Sequence, residues 1–148
     1  MIDIKLLEQL CLCNGISGDE GNVRNLIINE IKDCADDIKT DNLGNLIVFK
    51  KGKKSAKSKL MVSAHMDEVG LMVTDITSDG YLKFDEVGGI DRRVLPGKRV
   101  CVGRNGLNGV IGVKPIHLTN GDEKTAVPKM NDMSIDIGAE SREDALKY

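Results

Sequence analysis

Leu60-Met61-Val62-Ser63-Ala64-His65-Met66-Asp67-Glu68-Val69-Gly70 separates two kinds of sequence within this chain. Its first five residues form a nearly continuous apolar run, the pattern of a strand buried on both faces of a mixed or parallel sheet. Such a strand would deliver His65 and Asp67 to its carboxyl end, where ligands of open α/β sheets collect. Upstream the apolar period is largely helical, and downstream short strands alternate with glycine-containing turns. The expected class is therefore α/β, with a partial α/β layer over 1–68 and a small β-barrel-like region over 69–148.

Upstream of the run, Leu6, Leu7 and Leu10 give a helical stripe within Ile2–Leu12, broken at Asn14-Gly15. Ser17 and Glu20 stand at capping-box spacing ahead of Val23, Leu26, Ile27 and Ile31, which predicts a helix to about Cys34. Ile38–Thr40 and Asn45–Lys50, joined through Asp41-Asn42-Leu43-Gly44, read as a hairpin. Lys51 to Lys59 holds five lysines in nine residues but no arginine or aromatic, which suits a solvated turn better than a phosphate or nucleic-acid patch.

Downstream, Leu71–Thr77, Tyr81–Phe84, Arg99–Val102, Val110–Lys114 and Ser134–Ile137 read as strands of a small barrel or sandwich. Ser141 caps a final short helix. Gly88, Gly89 and Gly97 fit turns, since none opens a convincing helix at which a phosphate could sit.

The 148 residues suit one ordinary domain with a real core, and 30% charged against 41% hydrophobic content excludes a low-complexity disordered chain. A net charge of −2 argues against nucleic acid as the main partner. With no tryptophan, two tyrosines and two phenylalanines, stacking platforms for sugars or bases are scarce. No apolar run approaches a membrane span, and the N-terminus has no signal-peptide pattern, so no membrane partner is expected. Cys11, Cys13, Cys34 and Cys101 match neither a CxxC pair nor a disulfide framework. Reduced thiols in a cytoplasmic protein are the simplest account. Cys101, in an apolar strand pattern without a basic neighbour, is read as packing rather than as a nucleophile.

His65-Met66-Asp67 carries the most chemistry. An imidazole can ligate a metal through one nitrogen while a carboxylate two residues on accepts from the other, fixing the tautomer and raising ligand basicity. The spacing alone also fits a structural histidine. Asp85-Glu86 could pose as a glycosidase acid pair, but adjacent residues of a strand point to opposite faces.

Several blocks, in order through nearly the whole chain, resemble the tetrahedral aminopeptidase family of dinuclear metallopeptidases, some of whose members are labelled endoglucanase. They are Gly15-Ile16-Ser17-Gly18-Asp19-Glu20, Thr40-Asp41-Asn42-Leu43-Gly44-Asn45, Ala64 to Val73, Val87-Gly88-Gly89-Ile90-Asp91, Val94-Leu95-Pro96-Gly97, Gly109-Val110-Ile111-Gly112 with Lys114-Pro115, and Ile135-Asp136-Ile137-Gly138-Ala139. The resemblance implies that His65 is a metal ligand and Asp67 the catalytic residue that orients it. It implies two divalent ions, zinc or cobalt with manganese as a further candidate. It also implies peptide substrates, a cytoplasmic location, and a homo-oligomer that dimerises through the β-rich region from about Val69, the dimers assembling further into a tetrahedral dodecamer.

The family's bridging Asp, general-base Glu, further carboxylates and second His have no counterpart in these residues. The chain therefore resembles the N-terminal portion of such an enzyme, expected to show little peptidase activity alone and to bind zinc weakly at His65. His117 competes as the second ligand, but its block matches the family's insertion, which favours a structural or interface role. The rival functions are a non-catalytic oligomerisation module and a glycoside hydrolase.

Overall fold

The computed structural model describes residues 3–54, 58–115 and 127–148. Two compact units divide the chain, Met1–Glu68 and Val69–Tyr148.

In the first unit, α1 (Ile4–Leu12) is capped by Asp3, whose carboxylate accepts from the amides of Lys5 at 3.0 Å and Leu6 at 3.2 Å. Helix α2 (Gly21–Ile31) carries Val23, the buried hydrophobic side chain among the described residues of this unit. Antiparallel strands β1 (Asp37–Thr40) and β2 (Leu46–Phe49) form the hairpin, with Ile38 opposite Val48. Its turn is organised by Asp41, whose carboxylate accepts from the amides of Leu43 and Asn45 and from the Asn45 side chain. Arg24 Nη1 donates to the Gly44 carbonyl at 2.9 Å and so ties α2 to that turn.

Two expectations fail here. Leu60–Ala64 is not a strand; Leu60, Met61 and Val62 are 91%, 88% and 86% exposed, and no described strand pairs with them. An apolar run specifies a strand only together with a neighbour that takes up its amides and carbonyls. Nor does Ser17 cap α2. The helix starts at Gly21 without a side-chain cap, and Ser17 is engaged elsewhere.

The second unit holds β3 (Gly70–Ile76), β4 (Leu82–Val87), β5 (Arg99–Val102), β6 (Leu107–Val113) and β7 (Met133–Asp136). Their order is β3-β4-β7-β6-β5, antiparallel throughout. Among the described residues the sheet curls into a half-barrel whose end strands are β3 and β5. Alternation puts Leu82 and Phe84 of β4, Ile111 of β6, and Met133 and Ile135 of β7 on one face, buried with Leu95, Met130 and Ala145. Cys101 lies on β5 with its side chain exposed, so it does not pack in the core; the apolar pattern around it set the wrong face. Ser141 caps α3 (Arg142–Ala145) by accepting from the Asp144 amide. Arg142 then donates to the Asp75 carboxylate and the Ile76 carbonyl, fastening α3 to the end of β3.

The acid response of this unit follows from its carboxylates. The Ile76 amide and Arg142 hold Asp75 below the ordinary value of 3.8, Arg93 pulls Asp91 down to about 2, and Lys147 lowers Asp144. Groups depressed in the folded state contribute stability above their unfolded pKa and lose it as pH falls through the folded one. These pairs are exposed and individually weak. The melting temperature followed by circular dichroism is expected to be level from about pH 7 to 5 and to decline between about pH 4 and 2. A decline beginning at neutral pH would contradict this.

Candidate metal centre

The site is assembled where residues 15–17 run beside residues 66–68. Ile16 and Glu68 form a parallel bridge, with the Glu68 amide donating to the Gly15 carbonyl at 2.8 Å. Gly15 is required for this approach. A Cβ there would lie 2.5 Å from Val23 Cγ2 and 3.4 Å from the Met66 carbonyl oxygen. Gly18, at φ +92°, then turns the chain away toward α2.

His65 Nδ1 lies 3.0 Å from the backbone oxygen of Asp67 and 3.1 Å from its Oδ1. A carbonyl oxygen only accepts, so the hydrogen-bond partners assign the proton to Nδ1 and leave the lone pair of the neutral ring on Nε2. The imidazole is 85% exposed, which leaves Nε2 open to a ligand. The other Asp67 oxygen, Oδ2, accepts from the Ser17 hydroxyl. That bond is the chief cause holding the Asp67 carboxyl below its ordinary value, opposed by partial burial and helped by its own amide and by His65.

His65 and Asp67 stand on the wall of an open cleft of about 680 Å³ that also receives Glu20, Asp41, Leu46 and Met61. Its carboxylates give it an acidic lining suited to cations. Among the described residues, however, no three His, Cys, Asp or Glu side chains come together as a metal-binding group. His65 fits as one imidazole donor, whereas a catalytic zinc site takes three protein ligands. The described residues therefore do not by themselves make up a coordination set of that kind. His117 lies outside the described residues.

Glu86 is occupied by Arg92 at 2.6 Å, which removes Asp85-Glu86 as a free acid pair. No described helix is long and apolar enough to cross a membrane. Sequence reading missed Ser17 because its spacing to Glu20 imitates a capping box. In the structure Glu20 instead accepts from the Gly18 amide at 2.7 Å, and Ser17 takes the stronger, charge-assisted bond to a carboxylate.

The model of the M42 glutamyl aminopeptidase family matches residues 44–148. The chain belongs to that family. This M42 chain is 37% identical over 150 residues to the lysyl aminopeptidase of Pyrococcus furiosus, covering 98% of this chain and 42% of that protein. It is similar to the Pyrococcus horikoshii TET1 peptidase, described as assembling into a tetrahedron or a large octahedral shell (46% identity, TM-score 0.82, covering 97% of this chain and 43% of that one). It is also similar to a Thermotoga maritima structure described as an endoglucanase (45% identity, TM-score 0.82, covering 96% and 41%). The M42 chain thus spans about two fifths of the length of the curated relatives it matches.

Proposed function

We propose that this chain carries the N-terminal portion of a metal-dependent aminopeptidase that removes N-terminal residues from short peptides. His65 is a metal ligand through Nε2, and Asp67 is the catalytic-site carboxylate that orients it. The observation that carries the proposal is the pairing of His65 Nδ1 with Asp67 in a member of the M42 family, leaving Nε2 open over an acidic cleft. When bound, divalent ions supply Lewis-acid polarisation of the scissile carbonyl. His65 would offer one such ion its Nε2, and Asp67 keeps the ring proton on the far nitrogen. Zinc or cobalt is the metal proposed, with manganese as a further candidate, because imidazole and carboxylate donors suit all three.

The Val69–Tyr148 unit is assigned to dimerisation within a cytoplasmic homo-oligomer. Support comes from the assemblies described for the TET1 relative and from the sheet edges at β3 and β5, beside which no further strand stands among the described residues. The endoglucanase description of one relative finds no support in the Asp85-Glu86 pair of the second unit, where Glu86 is committed to Arg92.

The test replaces the matching segment of the Pyrococcus furiosus lysyl aminopeptidase with residues 1–148. The chimera is expected to release lysine from lysyl-p-nitroanilide in a chelator-sensitive manner and to release no reducing sugar from a soluble glucan. Sugar release without anilide hydrolysis would overturn the assignment.

A further inference from the structure

We propose that Ser17 is a positioning residue for His65, acting through Asp67. The inference rests on the reading of His65 as a metal ligand and adds to it a residue remote in sequence that sets the ring's orientation. Ser17 Oγ donates to Asp67 Oδ2, while His65 Nδ1 donates to Asp67 Oδ1 and the Asp67 carbonyl, so the carboxylate accepts from both side chains and joins them in one hydrogen-bonded group. Each Asp67 oxygen has its own partner, which fixes the carboxylate's rotation about its terminal bond. A carboxylate held that way presents an acceptor to the imidazole in one direction only.

The surrounding backbone is arranged to bring Ser17 there. The Ile16–Glu68 bridge aligns the two segments, and the Gly15 amide donates to Glu68 Oε1 at 3.4 Å. Gly15 allows the close contact with Val23 and Met66. Helix α2 begins at Gly21 with Glu20 at its N-cap position, so Ser17 lies ahead of the helix and its hydroxyl is free of any capping role. The partner of the hydroxyl is Asp67, across fifty residues of sequence.

The experiment uses the 148-residue chain labelled with ¹⁵N at histidine, observed at about pH 8, above the ordinary imidazole range. The His65 ring of the parent chain should show the signature of a proton on Nδ1. Ser17→Ala, which frees the carboxylate to rotate and leaves the Asp67 carbonyl as the ring's remaining acceptor, should displace the His65 ring resonances from their parent positions and raise the zinc dissociation constant by about tenfold, while Ser17→Thr, which keeps the hydroxyl, restores both. Ser17→Cys, nearly isosteric with a weak donor, should move the resonances in the same direction as alanine and serves if the alanine variant misfolds. Parent-like His65 resonances in both the alanine and cysteine variants would overturn the inference. Zinc binding unchanged by His65→Ala would instead overturn the ligand assignment, and the ring resonances, taken without metal, separate the two.

Discussion

Met133→Ala is expected to remove about 2–5 kcal/mol of stability from the Val69–Tyr148 unit. Met133 is fully buried on β7, between β4 and β6, in the cluster with Leu82, Phe84 and Ile111. Truncation there strips out the thioether arm and leaves a cavity that strands on both sides restrain from collapsing. A unit of this size has a total stability of only some 4–12 kcal/mol on per-residue averages, so the loss is a large fraction of the whole. Its melting temperature should fall by about 10 °C or more. Urea unfolding followed by far-ultraviolet circular dichroism checks this, with Val110→Ala on the exposed face of β6 as the control, expected within about 0.5 kcal/mol of the parent. Equal effects of the two substitutions would mean that the two faces of the sheet have been assigned wrongly.

His65→Ala, introduced into the lysyl aminopeptidase chimera, is expected to lower kcat/KM by about a thousandfold or more, equivalent to about 4 kcal/mol of transition-state stabilisation. It deletes a proposed ligand outright, and nothing among the described residues stands near enough as a set to replace it. Asp67→Ala should be milder, about 10- to 100-fold, because the imidazole remains while its orientation and basicity suffer. The ordering of the two variants is as informative as either magnitude. If Asp67→Ala were the more damaging, the carboxylate would itself touch the metal or the reacting atoms rather than act through His65. Metal content of each purified chimera, measured by atomic emission, separates lost binding from lost chemistry.

What was legible in the sequence was mostly local. The β1–β2 hairpin followed from an Asp-Asn-Leu-Gly turn between apolar runs, the Ser141 cap of α3 from its spacing to Asp144, and β3 to β7 from glycine-punctuated alternation. His65 and Asp67 were visible because two residues of separation let an imidazole reach a carboxylate on its own segment. What escaped depended on partners far along the chain. Leu60–Ala64 has strand composition but no described strand beside it, and Cys101 sits on the exposed side of an edge strand whose face only the sheet order decides. Ser17 reaches Asp67 through a bridge between distant segments, and its local spacing pointed to a helix cap instead.

The place of β7 in the sheet has a kinetic consequence. The pairs β3–β4 and β5–β6 are hairpins closed by short turns, each able to form from its own stretch of chain within microseconds once that stretch is free to move. Neither pairs with the other. They are joined only when β7 inserts, with Ile135 meeting Leu82 of one hairpin and Ile111 of the other. That step closes a long loop before any burial rewards it, which makes it the slow one. Until it occurs, the apolar faces of both hairpins stand open to water and to other chains, and the window for misassembly closes at the moment the fifth strand docks.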